Sequence, residues 1–315
     1  MTAYVLTAAG ERWQLPPAVE WELEYTAGVP CDSFFYRCPS RGCGGADPAL
    51  WHRFEGYEGE QLVFRGVVDE CVRTISAAGE RLELSGRGLA ALLLDNEALP
   101  RDYGTATAED ILDGHVRPYG ISVAPGYALP AVNRFSVAAG SSEWSVVYDF
   151  ARYHGGVLPR FDREGRLVLS PWSGGAPHVL GDSTPVTELT VTDKRYGALS
   201  AVWVRDRYRD HVEKVTDPDF LAQGGSARRV ITVPGRGDWQ AMRYTGRYQL
   251  ERAGRERLRI RAEIPELFWV WPGELVQVAR TGFDRSGLYR AAKVTVGADK
   301  NGGHSRIELA LPDMV

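Results

Sequence analysis

Carboxylates are the first residues in this 315-residue chain whose type and spacing could do chemistry. Asp69-Glu70, and Glu20, Glu22 and Glu24 at alternate positions, offer the acid and base that glycoside cleavage requires. Alternate positions of a strand share one face. Val19, Trp21, Leu23 and Tyr25 interleave with the glutamates, so the three acids are expected to form the solvated side of a half-buried strand. The six histidines are His52, His115, His154, His178, His211 and His304. None sits beside a serine or cysteine in a nucleophile frame. His154 falls at the end of an expected helix, where a cation suits the dipole. No G-x-S-x-G, H-E-x-x-H or phosphate loop occurs. Cys31, Cys38, Cys43 and Cys71 form no C-x-x-C pair, and His52 is the only histidine near them. Free thiols are expected rather than a zinc site. The expectation is therefore no catalytic, cofactor-binding or metal residue, no cofactor, and no enzyme.

Three further patterns have two readings each. Gly86, Gly88 and Ala91 spell G-x-G-x-x-A between a strand and a helix, the place of a dinucleotide fingerprint. The strands before it form a hairpin, and no acidic-ended parallel strand follows about 20 residues later. The glycines are thus expected to let the chain turn sharply from strand to helix. Arg236-Gly237-Asp238 matches a cell-adhesion tripeptide, which chance also produces. Phe268-Trp269-Val270-Trp271 and Phe34-Phe35-Tyr36 would suit a sugar or a protein partner, but such strips more often fill a core or an interface.

The organising stretch is Leu62 to Asp95. Its pattern predicts a strand holding Leu62, Phe64 and Val68, a second strand over Cys71 to Ser76, a turn at Ala77 to Glu80, and a third strand over Arg81 to Ser85. A short helix follows, with Leu89, Leu92 and Leu93 on one face. Upstream, residues 4–8, 11–15, 19–25 and 34–38 read as strands, and Leu50 to Tyr57 leads into the organising stretch. Helices are predicted from the Thr105–Asp110 start to about Arg117 and from Ser141 to Gly155-Gly156. GISVAPG reads as a strand between them. A hairpin turns at Arg163-Glu164-Gly165. Strands follow at Glu188 to Asp193 and Ser200 to Tyr208. Asp217 to Gly225 reads as a loop and Gly237 to Gly254 as a helix. RLRIRAEI, both sides of Pro272-Gly273, and a closing hairpin read as strands. The predicted fold class is β-rich α+β: two antiparallel β-barrel-like domains with a small α+β domain between them. Their spans are 1–99, 100–185 and 186–315.

Composition fits this reading. Apolar residues make up 44% and charged residues 25%, the proportions of a soluble globular protein. Net charge is −4, which gives no global attraction to nucleic acid. The charge is uneven: residues 1–110 carry about nine net negative charges and residues 194–261 about eight net positive. The N-terminus lacks a basic start with an apolar core, and no apolar run approaches 18 residues, so a cytosolic origin is expected and no membrane contact.

Taken in order, several pieces resemble the baseplate hub family of contractile phage tails and contractile injection systems, the late control D family. They are LVFRGVVDE with its hairpin and SGRGLAALLLDNEA; TAEDIL leading to RPYGISV; SSEWSVVYDFARYHGGVLPRFDREGRLVLS; and the C-terminal WPGELVQV, GLYRAAKVTVGAD and RIELALPD. The likeness covers most of the chain. The N-terminal cysteines and the WELEYT and FFYRC segments resemble the variant in phages of Gram-positive hosts. The resemblance implies a homotrimer in which two similar barrels per subunit build a pseudo-sixfold ring. That ring would join the tail tube protein to a central spike protein and bound a channel for DNA or cargo. Other baseplate proteins and the tape measure are implied neighbours, and DNA would pass without sequence-specific binding. The implied location is the virion or tail-like particle, assembled in the bacterial cytoplasm. The spike is expected to be a separate chain. Two alternatives are a tail-associated tip protein of a non-contractile phage and a cell-wall carbohydrate hydrolase.

Overall fold

A computed structural model describes residues 1–27, 30–41, 43, 47–77, 79–172, 174–207, 211–233, 239–254 and 257–312. The chain divides into two compact units. One comprises Met1–Gly175, Ile264–Glu274 and Lys293–Arg306; the other comprises Ala176–Glu263, Leu275–Ala292 and Ile307–Val315.

The first unit opens with β1 (Thr2–Thr7), β2 (Arg12–Gln14), β3 (Glu20–Thr26), β4 (Ser33–Pro39), β5 (Trp51–Glu58), β6 (Gln61–Ser76) and β7 (Gly79–Gly88). They pair antiparallel in the order β2-β1-β5-β6-β7-β4-β3. Alternation builds these strands: Trp21, Leu23 and Tyr25 are buried on β3 while its glutamates point outward. The apolar side closes on aromatic rings. Phe34 stacks on Phe54 with centroids 3.9 Å apart, and Phe64 packs on both. The Tyr25 hydroxyl donates to the Val63 carbonyl at 2.7 Å, so the buried phenol is satisfied.

The chain continues through α1 (Ala91–Leu94), β8 (Arg101–Ala106), α2 (Ala108–His115), β9 (Val132–Val137), α3 (Glu143–Tyr148), β10 (Arg160–Phe161) and β11 (Leu167–Val168). A reciprocal cap starts α2: Thr107 Oγ1 accepts from the Asp110 N–H while the Asp110 carboxylate accepts from the Thr107 N–H. Gly120, at φ 71°, ends the turn after it. Ser142 caps α3 through the Ser145 N–H at 3.1 Å, and the helix widens into a π turn over Asp149–His154. One apolar core gathers Val67 of β6 and Leu89 with Ile111, Leu112, Phe135, Trp144, Val147, Phe150 and Leu167.

The second unit holds β12 (His178–Gly181), β13 (Glu188–Asp193), β14 (Ala201–Asp206), β15 (Val212–Thr216), α4 (Pro218–Ala222), β16 (Arg228–Val233), α5 (Trp239–Gly254), β17 (Leu258–Ile264) and β18 (Leu275–Ala279). The closing strands β19 (Gly287–Asp299) and β20 (Gly302–Ala310) contribute residues to both units. β14 is the middle of a three-stranded sheet, antiparallel to β15 and parallel to β16. Helix α5 covers one face, where Val202 and Val204 meet Met242, Leu250, Ile231 and Val233.

The β-rich α+β class holds. Among the described residues the sheets do not close into barrels; β2, for instance, pairs only with β1 and leaves a free end. The second unit is also not purely antiparallel, because β12 runs parallel to β18 and β14 to β16. Several local expectations change with it. The two strands expected before the Ala77–Glu80 turn are one strand, β6, with a register shift between Val68 and Glu70. Gly86 and Gly88 lie within β7, not at a turn. Gly86 passes so close to β6 that a Cβ there would overlap the Val67 carbonyl and stand 2.7 Å from Phe34 Cε1. Val19 precedes β3 and is 56% exposed. GISVAPG makes a single bridge, Val123 to Leu167, in place of a strand. Asp217 caps α4 inside the expected loop, with Pro218 at the first helical position. Only the C-terminal side of Pro272-Gly273 is a strand. The expected helix start at Gly237 lies outside the described residues, as does Arg236-Gly237-Asp238.

Candidate functional site

The fold assembles one constellation that sequence order conceals. His115 closes α2, Glu143 opens α3, Tyr103 sits on β8, and Tyr119 lies in the single turn Arg117–Tyr119. His115 Nδ1 is 2.5 Å from Glu143 Oε2, its Nε2 is 2.9 Å from the Tyr103 hydroxyl, and Tyr119 donates to Glu143 Oε1 at 2.9 Å. A carboxylate orienting an imidazole is half of a general-base device. The other half, a nucleophile open to substrate, is not built here. Among the described residues the hydrogen-bond partner of Nε2 is the buried Tyr103, whose ring packs on Phe135. The group therefore satisfies its own hydrogen bonds inside a core and ties β8, α2 and α3 together. The signal in the sequence was helical spacing: His115 follows the buried Ile111 by one turn.

The residues singled out from sequence are dispersed. Glu20 pairs with Arg37, which also reaches Glu83 at 3.0 Å; Glu24 meets Lys293 at 2.8 Å, and Glu22 lies 3.9 Å from His304. They form the polar face of β3, as their alternation predicts. Asp69 is held by Arg87 at 2.7 Å, and Arg87 is shared with Asp95. The four cysteines are free thiols. Burial pushes Cys31 and Cys38 up to about 12, so neither is a thiolate nucleophile near neutral pH. Among the described residues no group of three or more His, Cys, Asp or Glu is placed to hold a metal. Trp269 stacks on Trp21 with centroids 6.3 Å apart, and Trp271 meets Tyr25 edge-on at 5.0 Å, so this strip packs within the first unit.

Two hollows carry polar groups. In the first unit Asp32 accepts from the Thr26 N–H at 2.9 Å, and burial pushes its carboxyl up to about 7 against that hydrogen bond. The adjoining cavity, lined by Trp144, Arg160 and Phe161, measures about 20 Å³, room for a single water. In the second unit a cleft of about 500 Å³ is lined by Asp193, Asp217, Asp219, Arg195, Arg257 and Arg285. Its charges answer one another: Arg195 and Arg257 lie 3.4 and 3.6 Å from Asp193, and Asp217 caps α4. No single sign of charge is left to select a ligand.

Surface is more distinctive. β5 pairs with β6 only from Gln61 to Val67. From Glu70 to Ser76, β6 has β7 on one side and an open edge on the other among the described residues. Val72 and Ile75 on this stretch are exposed, Ile75 at 71%. An open edge with apolar side chains is a template for another strand.

Known structures share this architecture along its whole length. The 43 kDa tail protein of prophage MuSo2 from Shewanella oneidensis superposes with a TM-score of 0.80 at 17% identity, covering 100% of this chain and 99% of that one. The tail protein from Neisseria meningitidis MC58 gives 0.79 at 17% identity, with 99% and 98% covered. Prophage tail protein gp18 from Listeria monocytogenes gives 0.64 at 11% identity, with 98% and 94% covered. An E. coli component of the type VI secretion system gives 0.58 at 13%, covering 94% of this chain and 73% of that one. At these identities the likeness establishes the fold. No family model and no curated protein matches the chain by sequence.

Proposed function

We propose that this chain is a structural protein of a phage tail or tail-like particle, and within it the baseplate hub. The observation that carries the reading is end-to-end coverage in both directions by prophage tail proteins of the same fold. The type VI secretion component of the same fold extends the reading to injection systems. In this reading residues 1–99 and 186–315 are two tube-like β sections flanking the α+β section 100–185. Three copies form a pseudo-sixfold ring around a channel for DNA or cargo. The ring joins the tail tube to the central spike and touches other baseplate proteins and the tape measure. The chain's own features agree. Glu20 and Asp69 are held in ion pairs and His115 and Glu143 in a buried network, whereas among the described residues the open edge of β6 invites a neighbouring strand.

Light scattering of the purified chain over a range of concentrations tests the assembly. A mass of three chains, alone or after addition of the spike protein, is expected. A chain that stays monomeric with every tail protein of its particle would overturn the hub reading.

A further inference from the structure

The three-stranded sheet β15-β14-β16 has α5 on one face; on the other most residues are exposed, with Ala201 buried and Trp203 half-buried. Alternation assigns that outer face to Ala201, Trp203 and Arg205, to Val212, Lys214 and Thr216, and to Arg228, Val230 and Thr232. Val212 is 46% and Val230 60% exposed. Trp203 stands in the middle row, between Lys214 on β15 and Val230 on β16. The Arg228 guanidinium lies 4.8 Å and the Lys214 ammonium 6.0 Å from its ring. The face holds three cations and no carboxylate, and none of the three makes an ion pair among the described residues. An indole with valines beside it and cations around it has the composition of an interface anchor and its rim.

Charge selects the occupant. Residues 1–110 carry about nine net negative charges. Within them Glu11, Glu60, Glu70 and Glu97 are exposed and make no ion pair among the described residues. We propose that the outer face of the β15-β14-β16 sheet docks the acidic first section of a second copy of this chain. The proposal rests on the homotrimer reading and names one of its contact surfaces. Opposite charge across the contact would fix orientation and hasten encounter, with Trp203 as the apolar anchor.

Sedimentation equilibrium tests it with the full-length chain. Raising salt from about 50 to about 500 mM is expected to weaken wild-type self-association at least tenfold. The variant Arg205→Glu, Lys214→Glu, Arg228→Glu should show that loss already at low salt. Adding Glu11→Lys, Glu60→Lys, Glu70→Lys and Glu97→Lys to it should recover association. A thermal melt checks folding, and Lys214→Gln with Arg228→Gln serves if the reversal does not fold. Undiminished trimers from the reversed and neutralised variants would overturn the surface and leave the trimer standing. A wild-type chain that stays monomeric both alone and with the spike protein added would remove the trimer reading itself. Intact trimers that lose binding to another tail protein or to DNA would assign the face to that occupant and overturn the proposal.

Discussion

At the scale of the residue, Asp32 makes a sharp prediction. Its carboxyl is raised to about 7 chiefly because burial disfavours the charge. A raised carboxyl favours the fold while protonated. That contribution is complete below the ordinary carboxylate range and is lost as pH climbs through about 7. Each unit of elevation corresponds to about 1.4 kcal/mol. Asp32→Asn, which keeps an acceptor for the Thr26 N–H, should therefore melt at a higher temperature than wild type at pH 8 and at the same temperature near pH 4. Equal melting at both pH values would contradict the burial. Gly86 supports a second prediction. Ala there must displace the Val67 carbonyl, so Gly86→Ala should destabilise by about 2 kcal/mol or more in a denaturant titration. The neighbouring Gly88 has more room, its added Cβ standing 3.3 Å from Asp32 Cβ, and Gly88→Ala should be the milder change. His115→Leu would leave Glu143 Oε2 buried without its hydrogen-bond partner, at a cost of about 2 kcal/mol. A stability loss below about 1 kcal/mol would show that the pair does not hold the core.

At the scale of the element, the reciprocal cap of α2 predicts that Thr107→Ala costs about 1 kcal/mol, measurable as a lower denaturation midpoint with unchanged slope. The elements that sequence displayed best are those whose own pattern decides them. β3 alternates, β13 lies at its expected residues Glu188–Asp193, and α2 and α3 start at hydroxyl caps. The elements it hid depend on distant partners. β15 and β16 are short, and their outward residues include valines, so neither shows clean polar and apolar alternation. β6 looked like two strands because its register shift interrupts the pattern at Val68 to Glu70. The His115–Glu143 pair joins two helices 28 residues apart, a distance that no local motif spans. Its only local trace was one turn of helical spacing.

At the scale of the whole molecule, the β-rich α+β class was legible because binary patterning fixes how much of the chain is strand. Closure into barrels was not, because it depends on which edges meet, and among the described residues edges such as that of β2 stay free. Among the described residues, those edges, the exposed Ile75 on β6 and the basic outer face of the second unit are surfaces open to a partner. The most direct measurement is cryo-electron microscopy of the native particle from a producing strain, with this chain traced in the map. The account predicts three copies in a ring of near-sixfold outline, between the last tube ring and the spike. Particles that assemble and infect without the chain, or that hold it elsewhere in another copy number, would contradict it.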